Sequence, residues 1–89
     1  MNTFPLTVST PGGDAFQGEV TVLSVRGVEG ELAVMAHHVP FVTALKPCLC
    51  KIELEDGSVK LGRVDGGILT VAKDKVTLLS GSFSFEETE

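Results

Sequence analysis

The chain has 89 residues, which is enough for one domain, and carries a formal net charge of −5 with an isoelectric point near 4.9. Such an acidic chain lacks the basic surface that nucleic-acid binding requires, and no apolar run approaches the roughly 20 residues of a membrane-spanning helix. The opening residues, MNTFPLTV, lack the charged segment and the apolar core of a signal peptide, so we expect a cytoplasmic protein.

Short segments rich in Val, Ile, Leu and Thr recur along the chain between Gly, Pro and Asp residues, and none keeps a helical apolar period. This spacing predicts an all-β fold, a sandwich or barrel of about eight short, mostly antiparallel strands. We expect this domain over residues 1–82 and an acidic, frayed C-terminal tail over 83–89. The predicted strands are Leu6–Ser9, Gly18–Val25, Glu31–Met35, Val42–Leu45, Cys48–Leu54, Val59–Val64, Ile68–Ala72 and Lys75–Leu79.

The first turn is predicted at Thr10–Asp14, and the strand after it carries aliphatic side chains on both faces. Val20 and Val22 share one face, whereas Leu23 and Val25 share the other. Either twist and bulges bring both faces into a small barrel, or another protein covers one outer face. Under the second interpretation, the outward members of such strands form a docking surface.

Two adjacent histidines, His37 and His38, precede a proline and are followed by Cys48 and Cys50. Neighbouring residues of an extended segment point to opposite faces, and a structural zinc ion needs four convergent ligands, so we expect no metal site. In a strand the two cysteines lie on one face about 6.5–7 Å apart, at the limit of disulfide reach, and we expect both to be reduced.

The segment KIELEDGSVKLG predicts a hairpin with a two-residue type I′ turn at Asp56-Gly57. That turn places Leu54 opposite Val59, and Glu53 opposite Lys60 as a pair of opposite charges. The apolar members of both strands would then point into the core.

The next predicted strand also has two apolar faces, with Ile68 on one and Leu69 and Val71 on the other. Before it, Asp65–Gly67 predicts a bulge or tight corner rather than a phosphate loop, because no helix follows. After it, Lys73-Asp74 predicts a second hairpin turn. No serine lies in a nucleophile elbow, so the sequence predicts neither an enzyme nor a cofactor.

The run GELAVMAHHVPFVTALKP resembles the G-E-L-G-x-x-P-G-H-x-P-L-L-T-x-L-K-P-G signature of the epsilon subunit of F-type ATP synthase. The stretch TPGGDAFQGEVTVLSVRGVEG is similar to that family's first hairpin, and VDGGILTVAKDKVTLLSG is similar to its G-G-[FI]-L-E-V…V-T-V-L-A-D run. These pieces are collinear over residues 5–82. The departures are Ala33 for Gly, Ala36-His37 for Pro-Gly, Cys48 for Gly, and Thr70 for Glu.

The resemblance implies a flattened β-sandwich of about ten strands. It also implies a non-catalytic rotor subunit in the central stalk, docked on the gamma subunit and on the polar loops of the membrane proteolipid ring. Such a subunit couples ion translocation to ATP synthesis at the cytoplasmic face of the bacterial plasma membrane, without entering the membrane. The family's C-terminal helical hairpin has no counterpart in these residues, so no ATP binding is expected. The expected interface residues are Glu31, His38, Val42, Thr43, Leu23, Val25, Leu69 and Val71.

A second hypothesis stays open at this point. The chain would then be a stand-alone β-sandwich that binds a small ligand or a metal ion through the His37–Cys50 region.

Overall fold

The computed structural model describes residues 2–36 and 39–86 of the chain, and their regular structure consists entirely of β-strands. This confirms the all-β prediction. Many of the residues involved are β-branched, and their side chains pack well on a pleated surface. The seven strands are β1 Phe4–Thr10, β2 Gly13–Gly27, β3 Gly30–Met35, β4 Phe41–Leu54, β5 Val59–Val71, β6 Val76–Leu79 and β7 Phe83–Glu86.

Five of these strands close into a barrel. The strand order is β1-β6-β5-β4-β2, and β2 pairs with β1 to complete the ring, while β3 adds to β2 and β7 adds to β5. All pairs are antiparallel except β1 and β6, which run parallel. Closure leaves few unpaired edges, which protects a small sheet from pairing with other chains.

The described residues form fewer and longer strands than the sequence predicts. Strand β4 runs unbroken through Lys46-Pro47, and β5 runs unbroken through Gly66-Gly67. Pro47 still lies opposite Asp65, and positive φ angles of 81° and 145° at Gly66 and Gly67 bend β5 without ending its pairing. Two predicted pairs of short strands are therefore two continuous bent strands.

The Asp65–Gly67 corner is confirmed as a place of close backbone approach. A Cβ atom added at Gly67 would overlap the carbonyl oxygen of Leu79 on β6. The Ser80 hydroxyl lies 2.6 Å from the carbonyl oxygen of Gly66, so the buried hydroxyl ties the end of β6 to this corner.

The last four described residues, which the sequence assigns to the tail, form β7. They pair with the first half of β5, where Val64 lies opposite Phe83 and Leu61 lies opposite Glu86. The Phe83 ring covers Gly62, where a Cβ atom would overlap it. This part of the predicted tail therefore belongs to the sheet.

The barrel interior holds one aliphatic core, and it includes four residues that the sequence placed on a docking surface. Leu23 and Leu69 are 0% exposed, Val25 is 4% exposed and Val71 is 2% exposed. The prediction that these four side chains form an outward interface is wrong. The remaining fully or almost fully buried hydrophobic residues are Phe4, Leu6, Val8, Val20, Val34, Leu45, Cys50, Ile52, Val64, Val76 and Leu78.

A bulge in β2 explains the two apolar faces of that strand. The register with β4 shifts between Val20 and Val22, and the adjacent Val20 and Thr21 are both buried. The alternation therefore restarts after the bulge, and Leu23 and Val25 return to the interior. For β2, the bulge interpretation is the correct one.

The β4–β5 hairpin forms where predicted, but its register differs by one residue. Glu53 lies opposite Val59, and the Leu54 amide donates to the Ser58 carbonyl at 2.9 Å, which leaves a three-residue loop. The Asp56 carboxylate accepts hydrogen bonds from the amide and the hydroxyl of Ser58, at 2.8 and 2.6 Å, which favours the longer loop. The predicted Glu53–Lys60 pair is therefore absent.

The other two predicted turns are confirmed. Thr10 lies opposite Gly13 at the β1–β2 turn. At the β5–β6 turn, the Ala72 amide donates to the Lys75 carbonyl at 2.9 Å around Lys73-Asp74.

Candidate docking surface

An apolar row crosses the outside of the barrel on β4, β5 and β6. Ala44 lies opposite Ile68, and Ile68 lies opposite Leu79, so the three side chains stand side by side on one face. Val42 lies two residues before Ala44 on the same face and is 66% exposed. Ile68 and Leu79 are each 48% exposed. We call Val42, Ala44, Ile68 and Leu79 the apolar patch.

A shallow groove of about 430 Å³ continues the apolar patch toward the β1–β2 turn. Ile68 and Leu79 form one wall, and Pro11 at the turn forms another. Gly67 and Gly81 add backbone without side chains. The groove contains no charged side chain, so it suits an apolar group of another molecule.

Outside the apolar patch, the barrel surface carries two exposed salt bridges that involve arginine. Arg26 and Glu31 form a salt bridge of 2.6 Å across β2 and β3, and Arg63 on β5 binds Glu86 on β7 at 3.0 Å. All four side chains are substantially exposed, so each pair adds little to stability.

The structure separates the predicted interface residues into distinct groups. Val42 is exposed and belongs to the apolar patch, whereas Thr43 is half-buried on the inner face, opposite Leu69. Glu31 is exposed on β3, but its carboxylate binds Arg26 rather than pointing unpaired to solvent. His38 lies outside the described residues, and so does His37.

The sequence-based site omitted Ile68 and Leu79, which form the centre of the apolar patch. The signal was present, because both are the odd members of strands whose other aliphatic residues share a face. Only the register shows that they are neighbours across β5 and β6.

The part of the chain that the structure describes lacks a cluster of side chains that could together coordinate a metal ion. Within residues 2–36 and 39–86 there is no group of three His, Cys, Asp or Glu side chains that could hold a metal ion. In the same ranges no helix is long and apolar enough to cross a membrane. Cys48 and Cys50 are both free thiols, as predicted.

The whole strand framework matches one protein family. Residues 3–85 match the model of the ATP synthase delta/epsilon chain, β-sandwich domain. The chain is 39% identical over 80 residues to the ATP synthase epsilon chain of Exiguobacterium sp. (strain ATCC BAA-1283 / AT1b), which is 90% of this chain and 59% of the relative. It is 37% identical over 82 residues to the ATP synthase epsilon chain of Bacillus thuringiensis (strain Al Hakam), which is 92% of this chain and 61% of the relative.

Solved structures share the fold. One chain of the cryo-EM structure of Euglena gracilis mitochondrial ATP synthase, OSCP/F1/c-ring in rotational state 1, superposes with a TM-score of 0.88 at 25% identity, covering 93% of this chain and 53% of that one. A chain of the Tetrahymena thermophila mitochondrial ATP synthase central stalk/c-ring structure superposes with a TM-score of 0.77 at 17% identity, covering 93% of this chain and 66% of that one. The second likeness shows the fold alone.

The family model and the sequence relatives point to the same family. This chain spans about 60% of the length of those relatives. The region that the family model matches, residues 3–85, includes every strand of the closed barrel. By its family model and its sequence identity, the chain belongs to the ATP synthase delta/epsilon chain β-sandwich family.

Proposed function

We propose that this chain is a non-catalytic rotor subunit of ATP synthase that docks on the gamma subunit and on the polar loops of the proteolipid ring. It couples ion translocation to ATP synthesis as a peripheral part of the complex, at the cytoplasmic face of a bacterial plasma membrane. Membership of the epsilon-chain family supports the general role. The observation that carries the docking mode is the apolar patch.

The apolar patch fits the gamma contact for a physical reason. A contact that transmits torque must resist shear, and a closed barrel is stiff because every strand of the ring is paired on both sides. Stable protein interfaces have an apolar centre surrounded by polar side chains. Ile68 and Leu79 provide such a centre, and Thr70 and Thr77 lie beside them in the neighbouring row of the same face.

The exposed Arg26–Glu31 pair fits the ring loops. Polar loops offer hydrogen-bond donors and acceptors, and Glu31 with Arg26 presents both kinds of group at an exposed position. His38 follows Glu31 in the same run of sequence. In this proposal the two partners contact different residues of one rigid barrel, so a force from the ring reaches gamma through the paired strands.

The mechanism uses no bound nucleotide and no metal ion. Binding to gamma relies on the burial of the apolar patch, and binding to the ring loops relies on polar contacts with Arg26 and Glu31. The barrel contributes stiffness, because its strands share one core and cannot slide past each other without breaking ladder hydrogen bonds.

Binding to the gamma subunit from the same genome tests the proposal. The substitution Ile68→Asp places a charge in the apolar patch, and we expect it to weaken binding by at least about tenfold in a titration. The matched control is Leu49→Asp, because Leu49 is 47% exposed on a strand of the barrel but lies outside the apolar patch.

The outcomes separate clearly when both variants are first shown to fold by circular dichroism. Weaker binding by Ile68→Asp alone supports the docking surface. Equal binding by both variants and the unmodified chain would show that gamma contacts another part of the barrel. A chain that fails to co-elute with gamma on size exclusion contradicts the proposed role itself.

A further inference from the structure

The chain contains two Asp-Gly dipeptides, and they lie in different surroundings. Asp56-Gly57 lies in the exposed loop of the β4–β5 hairpin, outside both strands. Asp65-Gly66 lies inside β5, where Asp65 is paired with Pro47 of β4. Aspartate isomerises most readily before glycine, because glycine has no side chain to keep its backbone nitrogen away from the carboxyl carbon.

The reaction is a cyclisation followed by hydrolysis. The backbone nitrogen of the glycine bonds to the side-chain carboxyl carbon of the protonated aspartic acid, and one carboxyl oxygen leaves as water with the acid proton and the amide proton. The product is a five-membered succinimide ring. Water that then cleaves the ring at the original main-chain carbonyl gives isoaspartate, in which the chain continues through the side-chain carbon. The water lost is regained, so the sum is an isomerisation and needs no oxidant or other reactant.

The paired strands hold Asp65-Gly66 in place. The Gly66 carbonyl oxygen accepts a hydrogen bond of 2.6 Å from the buried Ser80 hydroxyl. Gly66 is itself buried, and a Cβ atom added there would lie 3.2 Å from the carbonyl oxygen of Leu45. Cyclisation requires the main chain to rotate about the aspartate and the glycine, which at this corner would break the pairing of β5 with β4.

Hydrogen bonds within the loop hold Asp56-Gly57. Residues 55–60 are all exposed, and the Gly57 amide donates to the Leu54 carbonyl at 3.0 Å. The Asp56 carboxylate accepts hydrogen bonds from the hydroxyl and the amide of Ser58, at 2.6 and 2.8 Å. These bonds fix the carboxylate on Ser58 and lower the pKa of Asp56, with the hydroxyl as the largest cause. Less of the protonated acid that cyclises is therefore present.

We propose that Asp56-Gly57 is a site of spontaneous aspartate isomerisation, and that Ser58 slows the reaction by binding the Asp56 carboxylate. Isomerisation adds the side-chain carbon to the main chain and so lengthens the loop by one atom. The register of the β4–β5 hairpin depends on that loop, so the isomerised chain is less stable.

Ageing of the folded chain in buffer tests the proposal. Peptide mapping by mass spectrometry locates isoaspartate, and a methyltransferase specific for the isoaspartyl carboxylate counts it. We expect slow accumulation at position 56 of the unmodified chain, and none at position 65. In Ser58→Ala we expect accumulation at least about fivefold faster, because a hydrogen bond to a charged group is lost. The matched control is Ser58→Thr, which keeps the hydroxyl and should keep the slow rate.

Urea separates the effect of the fold from that of the dipeptide. In the unfolded chain both Asp-Gly sites lose their surroundings, so we expect isoaspartate at positions 56 and 65 alike. The difference between Ser58→Ala and the unmodified chain should then disappear. Circular dichroism before ageing shows that each variant is folded in buffer.

Isoaspartate confined to position 56 of the folded chain, and formed faster only when the hydroxyl is absent, supports the proposal. Three results would overturn it. These are no isoaspartate at position 56 in either the unmodified chain or Ser58→Ala, equal rates in those two folded chains, and an effect of Ser58→Ala that persists unchanged in urea. A rate in Ser58→Thr equal to that of Ser58→Ala would also overturn the role of the hydroxyl.

Discussion

At the residue scale, Asp56 decides the geometry of the longest hairpin. Its carboxylate accepts hydrogen bonds from the hydroxyl and the amide of Ser58, and these bonds lower the pKa of Asp56 below 3.8. The ionised form is favoured in the folded chain, so its contribution to stability is present above pH 3.8 and is lost as the pH falls toward the lower folded pKa. The three-residue loop also needs the positive φ of 91° at Gly57.

Removing the Ser58 hydroxyl should raise the pKa of Asp56. In Ser58→Ala the side-chain hydrogen bond is gone but the backbone amide still donates, so we expect a partial return toward 3.8. Measurement of the carboxyl carbon shift of Asp56 by NMR against pH checks this. An unchanged midpoint would mean that the hydroxyl does not stabilise the carboxylate.

Gly67 is a second position where one residue determines the local structure. Its φ of 145° disfavours any side chain, and a Cβ atom would meet the Leu79 carbonyl. We expect Gly67→Ala to lower the free energy of unfolding by about 2 kcal/mol or more, through strain and displacement of β6. Urea denaturation measures the loss.

Gly81→Ala is the matched control for that substitution. Its added Cβ would meet nothing within 4 Å, so we expect a change within about 0.5 kcal/mol. Equal effects at the two positions would show that the close approach of β5 and β6 is unimportant to stability.

At the scale of elements, β7 is held to the barrel by its pairing with β5, by the Arg63–Glu86 salt bridge and by aromatic packing. The Phe83 and Phe85 rings meet edge-to-face with centroids 5.0 Å apart, and Phe16 on β2 meets Phe85 at 6.3 Å. Lys60 lies 5.6 Å from the centre of the Phe85 ring. A four-residue strand with a single neighbour depends on such contacts to stay paired.

Truncating Phe83 should release β7 while leaving the barrel closed. We expect Phe83→Ala to cost about 2 kcal/mol, because the half-buried ring covers Gly62 and leaves a cavity there. Hydrogen exchange should become faster over β7 and along Leu61–Val64 of β5, with β1 and β2 unaffected.

Ser84→Ala provides the comparison on the same strand, since Ser84 is exposed and its loss removes no packing. Identical hydrogen-exchange protection of β7 in Phe83→Ala and Ser84→Ala would contradict the anchoring role of the Phe83 ring.

At the scale of the whole molecule, the barrel is built around a single hydrophobic core. Each strand of the ring β1-β6-β5-β4-β2 contributes side chains to it. The free energy of unfolding of small domains is only about 0.05–0.15 kcal/mol per residue. The free-energy cost of burying one unpaired charge in this core therefore exceeds the stability of the fold. The outer apolar patch carries no such penalty, because its side chains already contact water.

Neighbouring residues on β5 should therefore respond in opposite ways to the same substitution. Leu69→Asp buries a carboxylate in the core, and we expect a loss of about 4 kcal/mol or more and an unfolded chain. Ile68→Asp places the same group on the outer face, and we expect a folded chain. Thermal denaturation followed by circular dichroism compares the two variants.

Cooperative melting of Leu69→Asp near the temperature of the unmodified chain would contradict the inward orientation of Leu69. Early melting of Ile68→Asp would show that the apolar patch contributes to the fold, and it would then be unsuitable for measuring partner binding.

The sequence by itself determined the fold class, three turn positions and the family. These features depend on local chemistry, because strand segments, turn residues and an ordered series of motifs are read along the chain. The Thr10–Asp14 and Lys73-Asp74 turns were predicted because few residues tolerate such backbone geometry. Nothing distant in the chain changes that local preference.

The tertiary structure decided which face of each strand is inside. A bulge at Thr21 buries Leu23 and Val25, and one extra loop residue beside Asp56 shifts the whole β4–β5 register. A change of one residue exchanges the two faces of a strand, so the period of two cannot be assigned without the pairing partners. The apolar patch of Ile68 and Leu79 exists only because β5 and β6 are neighbours in the closed barrel.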